Sequence, residues 1–312
     1  MELPNEDALR WLVSRMAHVL AEHGEAIGRP DLVLPTSEYF PDEFTLDPDG
    51  VLRVAKRIVA HAPVSDDIGL GLAFLEAGEK APGGGCGSGA CGTGGGAHGD
   101  GVSGGTVLET DRGYAITVAV ADTGNPTLMT CALARGVGAI VLSEAGEEVD
   151  LDALGPMSEL AASAVGFGVL LTSGAYVYGK SCGGVRMRQA THLSVEEHAT
   201  LLALFCRVHD HKPGAARAHL ETTQKEAFDE ALRWVDSNPR IVEALRTVPA
   251  SLADGVFPIE APKGILGRLF ARRAEPRPEE IAPPSKRTPR SEAEMRRLAE
   301  TRALVEEALK TR

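Results

Sequence analysis

The sequence predicts an α+β protein in which a small sheet with a hairpin packs beside a predominantly helical core. Helix-like and strand-like apolar spacings alternate in the N-terminal part of the chain. Two β-rich runs, 106–109 and 114–121, are separated by a Thr-Asp-Arg-Gly turn, which predicts the hairpin. From residue 126 onward the pattern is mainly that of apolar helices, and 312 residues are enough to bury a large core.

The elements before the hairpin are short and alternate in type. Apolar side chains recur every 3.6 residues in two segments, which predicts amphipathic helices. Two short apolar runs are typical of strands, and Pro35 and Pro41 favour extended backbone in the residues that precede them. The predicted elements are helices at 5–23 and 49–61 and strands at 31–34 and 68–75.

Two apolar helices joined by an acidic loop form the predicted core. The first follows Asn125-Pro126, a capping residue and a proline suited to the first helical position. The second opens after Pro156 and continues to residue 179, with no charge in 160–179. That stretch is as long as a membrane span. Its Ala, Ser and Gly content and the lack of basic clusters at its flanks favour a buried helix, so no membrane contact is expected.

The chain after the core is predicted to be mostly helical. A tight loop at 180–184 leads to a short extended piece, and Ser194 with Glu197 forms a capping box that opens a helix. The remaining predicted elements are the extended piece at 185–190 and helices at 194–209, 221–236 and 239–247.

The sequence divides into a main domain at 1–261, a basic proline-rich linker at 262–290 and an amphipathic helix at 291–312. The proline content of the linker predicts disorder. The final helix has two interpretations: an appended, mostly solvated helix, or a helix that binds an unidentified protein partner.

Charge is distributed unevenly between these parts. The net charge is −12, but the segment from residue 262 onward has 13 Lys/Arg against 8 Asp/Glu, so the remainder has a net charge of −17. An acidic body lacks the basic face that nucleic acid requires, so nucleic acid is not an expected partner. The acidic N-terminus has no signal-peptide pattern, and five cysteines do not suggest a disulfide framework. The predicted location is the cytoplasm.

A glycine-rich segment inside the main domain, 82–105, contains 13 glycines in 24 residues and is predicted to be a flexible loop. It carries Cys86 and Cys91, while Cys182 lies in another glycine-containing loop. Three interpretations stay open: free thiols on a flexible loop, a zinc or other metal site, or a redox pair. Cys131 and Cys206 lie in apolar helices and are predicted to be core residues.

No residue pattern in the sequence indicates a catalytic site. The sequence contains no H-E-x-x-H, no P-loop and no G-x-S-x-G elbow, and its histidines do not have the spacing of a helical metal site.

Three features resemble a group of uncharacterised bacterial proteins whose core is similar to zincin-type metallopeptidases. They are the motif Leu-Pro-Thr-Ser-Glu-Tyr-Phe-Pro-Asp at 34–42, the hairpin that feeds the first core helix, and the stretch His-Leu-Ser-Val-Glu-Glu-His at 192–198 with the residues that follow it to 205. The likeness covers residues 31–248. It implies a zincin-like arrangement of the sheet and the two core helices.

In such families the first core helix carries H-E-x-x-H, with two zinc-binding histidines and a glutamate as general base. The overlay places Arg135 and Ala139 at the histidine positions, Gly136 at the glutamate and Glu159 at the acidic ligand of the next helix. Arginine, glycine and alanine cannot bind zinc or activate water. The resemblance therefore implies a degenerate site rather than a working peptidase.

The same overlay predicts that the guanidinium of Arg135 pairs with Glu159 where zinc would otherwise lie. The alternative is that Glu159 is a solvated first-turn residue favoured by the helix dipole.

Two functions follow from these observations. The first is a non-catalytic, pseudo-metallopeptidase-like protein that acts through protein contacts. The second is a metal-binding or thiol redox module that uses Cys86, Cys91 and Cys182, with zinc as the possible metal.

Overall fold

A computed structural model describes residues 2–65, 67–76, 102, 104–181 and 184–261. The described chain is a mixed α+β structure, as predicted. Its longer helices are α1 Glu6–Ile27, α2 Pro48–Val59, α4 Pro126–Glu144, α5 Leu151–Ala162, α7 Val195–Val208, α9 Thr222–Ser237 and α10 Pro239–Thr247. The shorter helices are α3 Val120–Thr123, α6 Gly168–Gly174, α8 Pro213–Ala218 and a 3₁₀ turn at Pro249–Leu252. The strands are β1 Gly69–Leu75, β2 Val107–Thr110, β3 Gly113–Ala119, β4 Val177–Ser181 and β5 Gly184–Arg188.

The predicted hairpin is present as β2 and β3, paired antiparallel in a three-stranded sheet of order β1-β3-β2. Strand β1 runs parallel to β3, with Gly69 opposite Gly113. A side chain on Gly113 would overlap the backbone of Gly69, and one on Gly69 would overlap the carbonyl oxygen of Arg112, so both positions require glycine. Ile116 and Val118 of β3 are fully buried, and Ile116 lies against α4. The sheet therefore covers one side of the first core helix.

Helices α4 and α5 form the centre of the core, as expected from their apolar sequence. Every residue of α4 from Cys131 to Leu142 is buried. Gly138 allows the close approach of the two helices, because a Cβ there would overlap the carbonyl oxygen of Ser158 and crowd Ala162. Without side chains at such positions, helices can pack closer than the usual 8–10 Å between their axes.

The second core helix differs from the prediction at both ends. It begins at Leu151, so Pro156 lies inside it rather than before it. It passes through a π-type turn at Ser163–Phe167 and ends at Gly174. The residues beyond it, which include Tyr176 and Tyr178, have aromatic and β-branched character and enter the β4–β5 hairpin instead.

The predicted strand at 31–34 is wrong. Leu32 and Val33 are buried, but the N–H of Val33 donates to the carbonyl of Gly166 in the π-type turn at 3.1 Å instead of to a neighbouring strand. Gly166 has φ +106°, and a side chain there would overlap the carbonyl oxygen of Asp31. A local apolar run cannot indicate whether its backbone partner is a strand or an irregular turn of a helix.

The C-terminal helices agree closely with the predicted boundaries. The capping box of α7 is formed as expected, with the Glu197 N–H donating to Ser194 Oγ and the Ser194 N–H donating to Glu197. Helix α7 packs between α6 and α9, with Phe205 and Trp234 among the largest buried side chains. Cys131 and Cys206 are buried core residues, as predicted.

Several predicted segments lie outside the described residues: most of 82–105, the linker 262–290 and the helix 291–312. Two described stretches, Pro126–Glu144 and Leu151–Gly174, are long and apolar enough to cross a membrane. In an apolar 18-residue part of each stretch, 78% and 83% of the residues are buried inside the protein. This burial is compatible with core helices of a soluble protein.

Candidate functional site

The candidate site is built around Arg135, a cation inside the apolar helix α4 with 2% of its side chain exposed. Its Nη1 donates to Glu159 Oε1 at 3.3 Å and to the carbonyl of Ala190 at 2.6 Å. Its Nη2 donates to the carbonyl of Gly104, at the end of the glycine-rich segment. A buried charge is tolerable only when it is paired and hydrogen-bonded, and Arg135 meets both conditions.

The partner, Glu159 of α5, is fully buried and accepts hydrogen bonds from four groups. Besides Arg135 they are the backbone N–H groups of His192 and Leu193, at 2.8 and 2.9 Å, and Nε2 of His198, at 3.2 Å. Two carboxylate oxygens have about four lone-pair positions, so the carboxylate is saturated. The predicted ion pair is present, whereas the alternative of a solvated first-turn Glu159 is wrong.

The electrostatics of Glu159 follow from this saturation. Burial alone raises the pKa of a carboxyl group. Here the hydrogen bond and charge of His198, the charge of Arg135 and the backbone N–H of Leu193 reverse that effect and lower the pKa of Glu159 to about 2. Glu159 is therefore ionised at neutral pH and is not a general acid or base in this arrangement.

Gly136 and Ala139, the other two positions of the predicted degenerate site, contribute no polar side-chain groups. A Cβ on Gly136 would lie 2.5 Å from Ile116 Cγ2, so β3 fills the space on that side of α4. Ala139 is 9% exposed and follows Arg135 by four residues, which places both on one face of the helix.

The end of the glycine-rich segment closes the site from the side of the sheet. Gly105 has φ +70°, and a Cβ there would lie 2.5 Å from Nε of Arg135 and 2.7 Å from the carbonyl oxygen of Ala132. The Gly105 N–H donates to the carbonyl of Thr117, so this glycine is also tied to β3. A glycine is required here because the backbone contacts the guanidinium directly.

Sequence reasoning missed the part played by the start of α7. His192 and His198 do not have metal-site spacing, but the turn between them supplies two backbone donors and one imidazole to Glu159. The capping box at Ser194 was the available signal, because it marks a helix start and helix starts present unpaired N–H groups. The ring of His192 lies where a side chain on Gly155 would otherwise be.

The predicted thiol site, Cys86, Cys91 and Cys182, lies outside the described residues. Within the described ranges, no three His, Cys, Asp or Glu side chains are arranged to hold a metal ion. Burial raises the pKa of the Cys131 and Cys206 thiols to about 12, so neither is a reactive thiolate.

Comparison with family models, with curated proteins and with solved structures gives no match for this chain.

Proposed function

We propose that this chain is a non-catalytic protein built on a zincin-like arrangement, in which the Arg135 guanidinium stands where the metal would lie. The Arg135–Glu159 pair carries this proposal, since the overlay of the two core helices predicted it and the two side chains meet at 3.3 Å. A carboxylate with four hydrogen-bond donors and a guanidinium bonded through both Nη atoms describe a structural centre rather than a reactive one.

The packing around Gly136 supports the same conclusion. A peptidase would need a glutamate at this position to activate water. The Ile116 side chain leaves no room for one, since even a Cβ on Gly136 would come within 2.5 Å of it. Both the metal ligands and the space for the general base are therefore absent from this part of the chain.

Restoring the metal ligands tests the proposal directly. The double variant Arg135→His/Ala139→His places two histidines four residues apart on α4, with Glu159 as the third ligand. If the arrangement is zincin-like, the variant is expected to bind one zinc per chain and to gain thermal stability on zinc addition. It should remain inactive as a peptidase because Gly136 is unchanged.

The matched control adds Glu159→Gln to the double variant and is expected to lose most of the zinc affinity. A double variant that is folded by circular dichroism but binds no zinc would contradict the zincin-like arrangement.

The alternative function is a metal or thiol module. Metal analysis and a thiol count on the purified wild-type chain distinguish it from the non-catalytic proposal. One bound zinc or iron that is lost in Cys86→Ser would support the module and refute the non-metal proposal. Free thiols without metal would refute the module.

The remaining part of the proposal is that the protein acts in the cytoplasm through contacts with a partner, made by residues 291–312. The acidic body and the basic C-terminal part of the sequence support a role in association rather than catalysis. Crosslinking of the full chain and of a chain ending at residue 290 tests this, since only the full chain is expected to retain the partner.

A further inference from the structure

A second cluster of ionisable groups lies at the C-terminal end of α4, away from the buried ion pair. Helix α4 ends in a Schellman motif: the Gly146 N–H donates to the carbonyl of Ser143 and the Glu147 N–H donates to the carbonyl of Leu142, both at 3.0 Å. Gly146 has φ +71°, as this motif requires. The motif fixes the backbone of Glu147, the residue that follows the turn.

The charges at this helix end are of the unfavourable sign. The last turn of α4 has no basic residue, whereas cations are the groups that stabilise the partial negative charge of a helix C-terminus. Five carboxylates lie in the last turn, the loop and the first turn of α5: Glu144, Glu147, Glu148, Asp150 and Asp152.

Two histidines of α1 contact the Glu147 carboxylate and can bring positive charge to this helix end. Nε2 of His18 and Nε2 of His23 lie 3.2 and 2.9 Å from the same oxygen, Oε1 of Glu147. The side chains of His18, His23 and Glu147 are 34%, 19% and 21% exposed. The cluster is therefore partly shielded from water, and protons can still reach it.

Most of the charged residues that neighbour the cluster in sequence are acidic. On α1, Arg15 and Glu22 lie one turn from His18, before and after it. From the other elements come the loop carboxylates Glu148 and Asp150, together with Asp152 of α5 and Glu144, which accepts a hydrogen bond from Tyr114 at 2.6 Å.

We propose that His18, His23 and Glu147 form a proton-responsive latch that holds the loop 146–150 against α1 and tightens when the imidazoles become charged. Histidine gains its charge between pH 8 and 5, and a charged imidazole both strengthens its bond to a carboxylate and neutralises a helix C-terminus. The loop also carries Val149, which packs on Leu142 and Met157 together with Trp11 of α1. Closing the latch thus protects a small apolar cluster.

Glu147 remains a suitable partner over this whole range. Burial raises its pKa, but the hydrogen bonds from His23 and His18 outweigh burial and leave the pKa below its usual value. The direction of the effect follows: the latch is strongest in mild acid and weakest at pH 8, opposite to ordinary acid destabilisation.

Hydrogen exchange at the amides of residues 147–150 tests the latch, independently of the proposed function. In the wild-type chain, protection factors are expected to rise about three- to tenfold from pH 8 to pH 5.5, as expected for two partly exposed ion pairs. The conservative variant Glu147→Gln keeps the side-chain shape and is expected to show no such rise. His18→Gln and His23→Gln should each reduce the rise without abolishing it.

His219→Gln, a change outside the latch, serves as the control and should behave as the wild type. Protection that is independent of pH in the wild type, or that rises equally in Glu147→Gln, would overturn the proposal.

Discussion

At the scale of single residues, Arg135 sets the character of the core. An isolated charge inside an apolar helix would cost several kcal/mol or force its partner to become neutral. Here it is bonded to Glu159 and to the carbonyls of Ala190 and Gly104, which belong to three separate parts of the chain. The ion pair therefore joins α4, α5, the start of α7 and the end of the glycine-rich segment.

Replacing Arg135 alone should show how much stability is lost when the buried Glu159 carboxylate has no guanidinium beside it. Arg135→Met is expected to destabilise the protein by about 3–5 kcal/mol, since it leaves the buried Glu159 carboxylate without the guanidinium that pairs with it. The double variant Arg135→Met/Glu159→Gln should recover part of that loss. Chemical denaturation at pH 7 measures both values, and Arg217→Met, which breaks an exposed pair with Asp229, is the control with little expected change.

The pH dependence gives this prediction a second readout. Without Arg135 one influence that lowers the pKa of Glu159 is gone, so the folded state takes up a proton more readily. The loss relative to wild type should then shrink as the pH falls from 4.5 toward 2, the range in which Glu159 of the wild-type protein takes up its proton. A single variant as stable as the wild type at pH 7 would contradict the assigned role of Arg135.

At the scale of elements, the crossing of α4 over α5 depends on one glycine. The position of Gly138 against the Ser158 carbonyl lets the helices approach, and this approach brings Arg135 within reach of Glu159. The π-type turn at Ser163–Phe167 is a second such place, because Gly166 lets residues 31–34 cross the helix.

The same substitution should have opposite effects in two helices. Gly138→Ala is expected to destabilise by about 3 kcal/mol, at the upper end of overpacking costs, because backbone blocks the new methyl group. Gly24→Ala in α1, where a Cβ meets nothing within 4 Å, should stabilise by about 0.5–1 kcal/mol through helix propensity. Thermal and urea unfolding of the two variants measure these changes in stability. Equal effects would show that α4 and α5 have room for a methyl group at Gly138.

At the scale of the whole molecule, the half-buried His209 and the fully buried Glu159 make the fold sensitive to acid. Burial, followed by the charges of His211 and Arg246, lowers the pKa of His209 to about 4, and its ring packs on Phe205 with centroids 4.8 Å apart. A histidine with a lowered pKa contributes stability above pH 6.5 that is lost as the pH falls toward 4. For Glu159, whose pKa is about 2, the loss lies between pH 4.5 and 2.

The free energy of unfolding is therefore expected to fall between pH 6.5 and pH 4 in the wild-type chain. His209→Gln should flatten this slope, because the group that takes up a proton in the unfolded chain has been removed. Urea unfolding at intervals of half a pH unit measures the slope. An unchanged slope in His209→Gln would contradict the role given to His209. The latch at Glu147 acts in the opposite direction, so Glu147→Gln should make the free energy of unfolding fall more steeply.

The sequence by itself determined the elements whose signals are local. The capping box at Ser194, the hairpin turn before Gly113 and the apolar face of α1 predicted their elements because caps, turns and periodicity involve only near neighbours in the chain. It also predicted the meeting of Arg135 with Glu159, because the family overlay places both residues at one site. The zincin-like arrangement that motivated this overlay is still a proposal.

Only the tertiary structure decided which backbone groups those elements would meet. The run at 31–34 became a crossing over Gly166 rather than a strand, and the uncharged stretch after Ala162 divided into a π-type turn, a helix and a strand. The donors from His192, Leu193 and His198 converge on Glu159 from more than 30 residues away along the chain. Burying a charge requires hydrogen bonds from any segment that packing brings near, and no local pattern encodes which segment that will be.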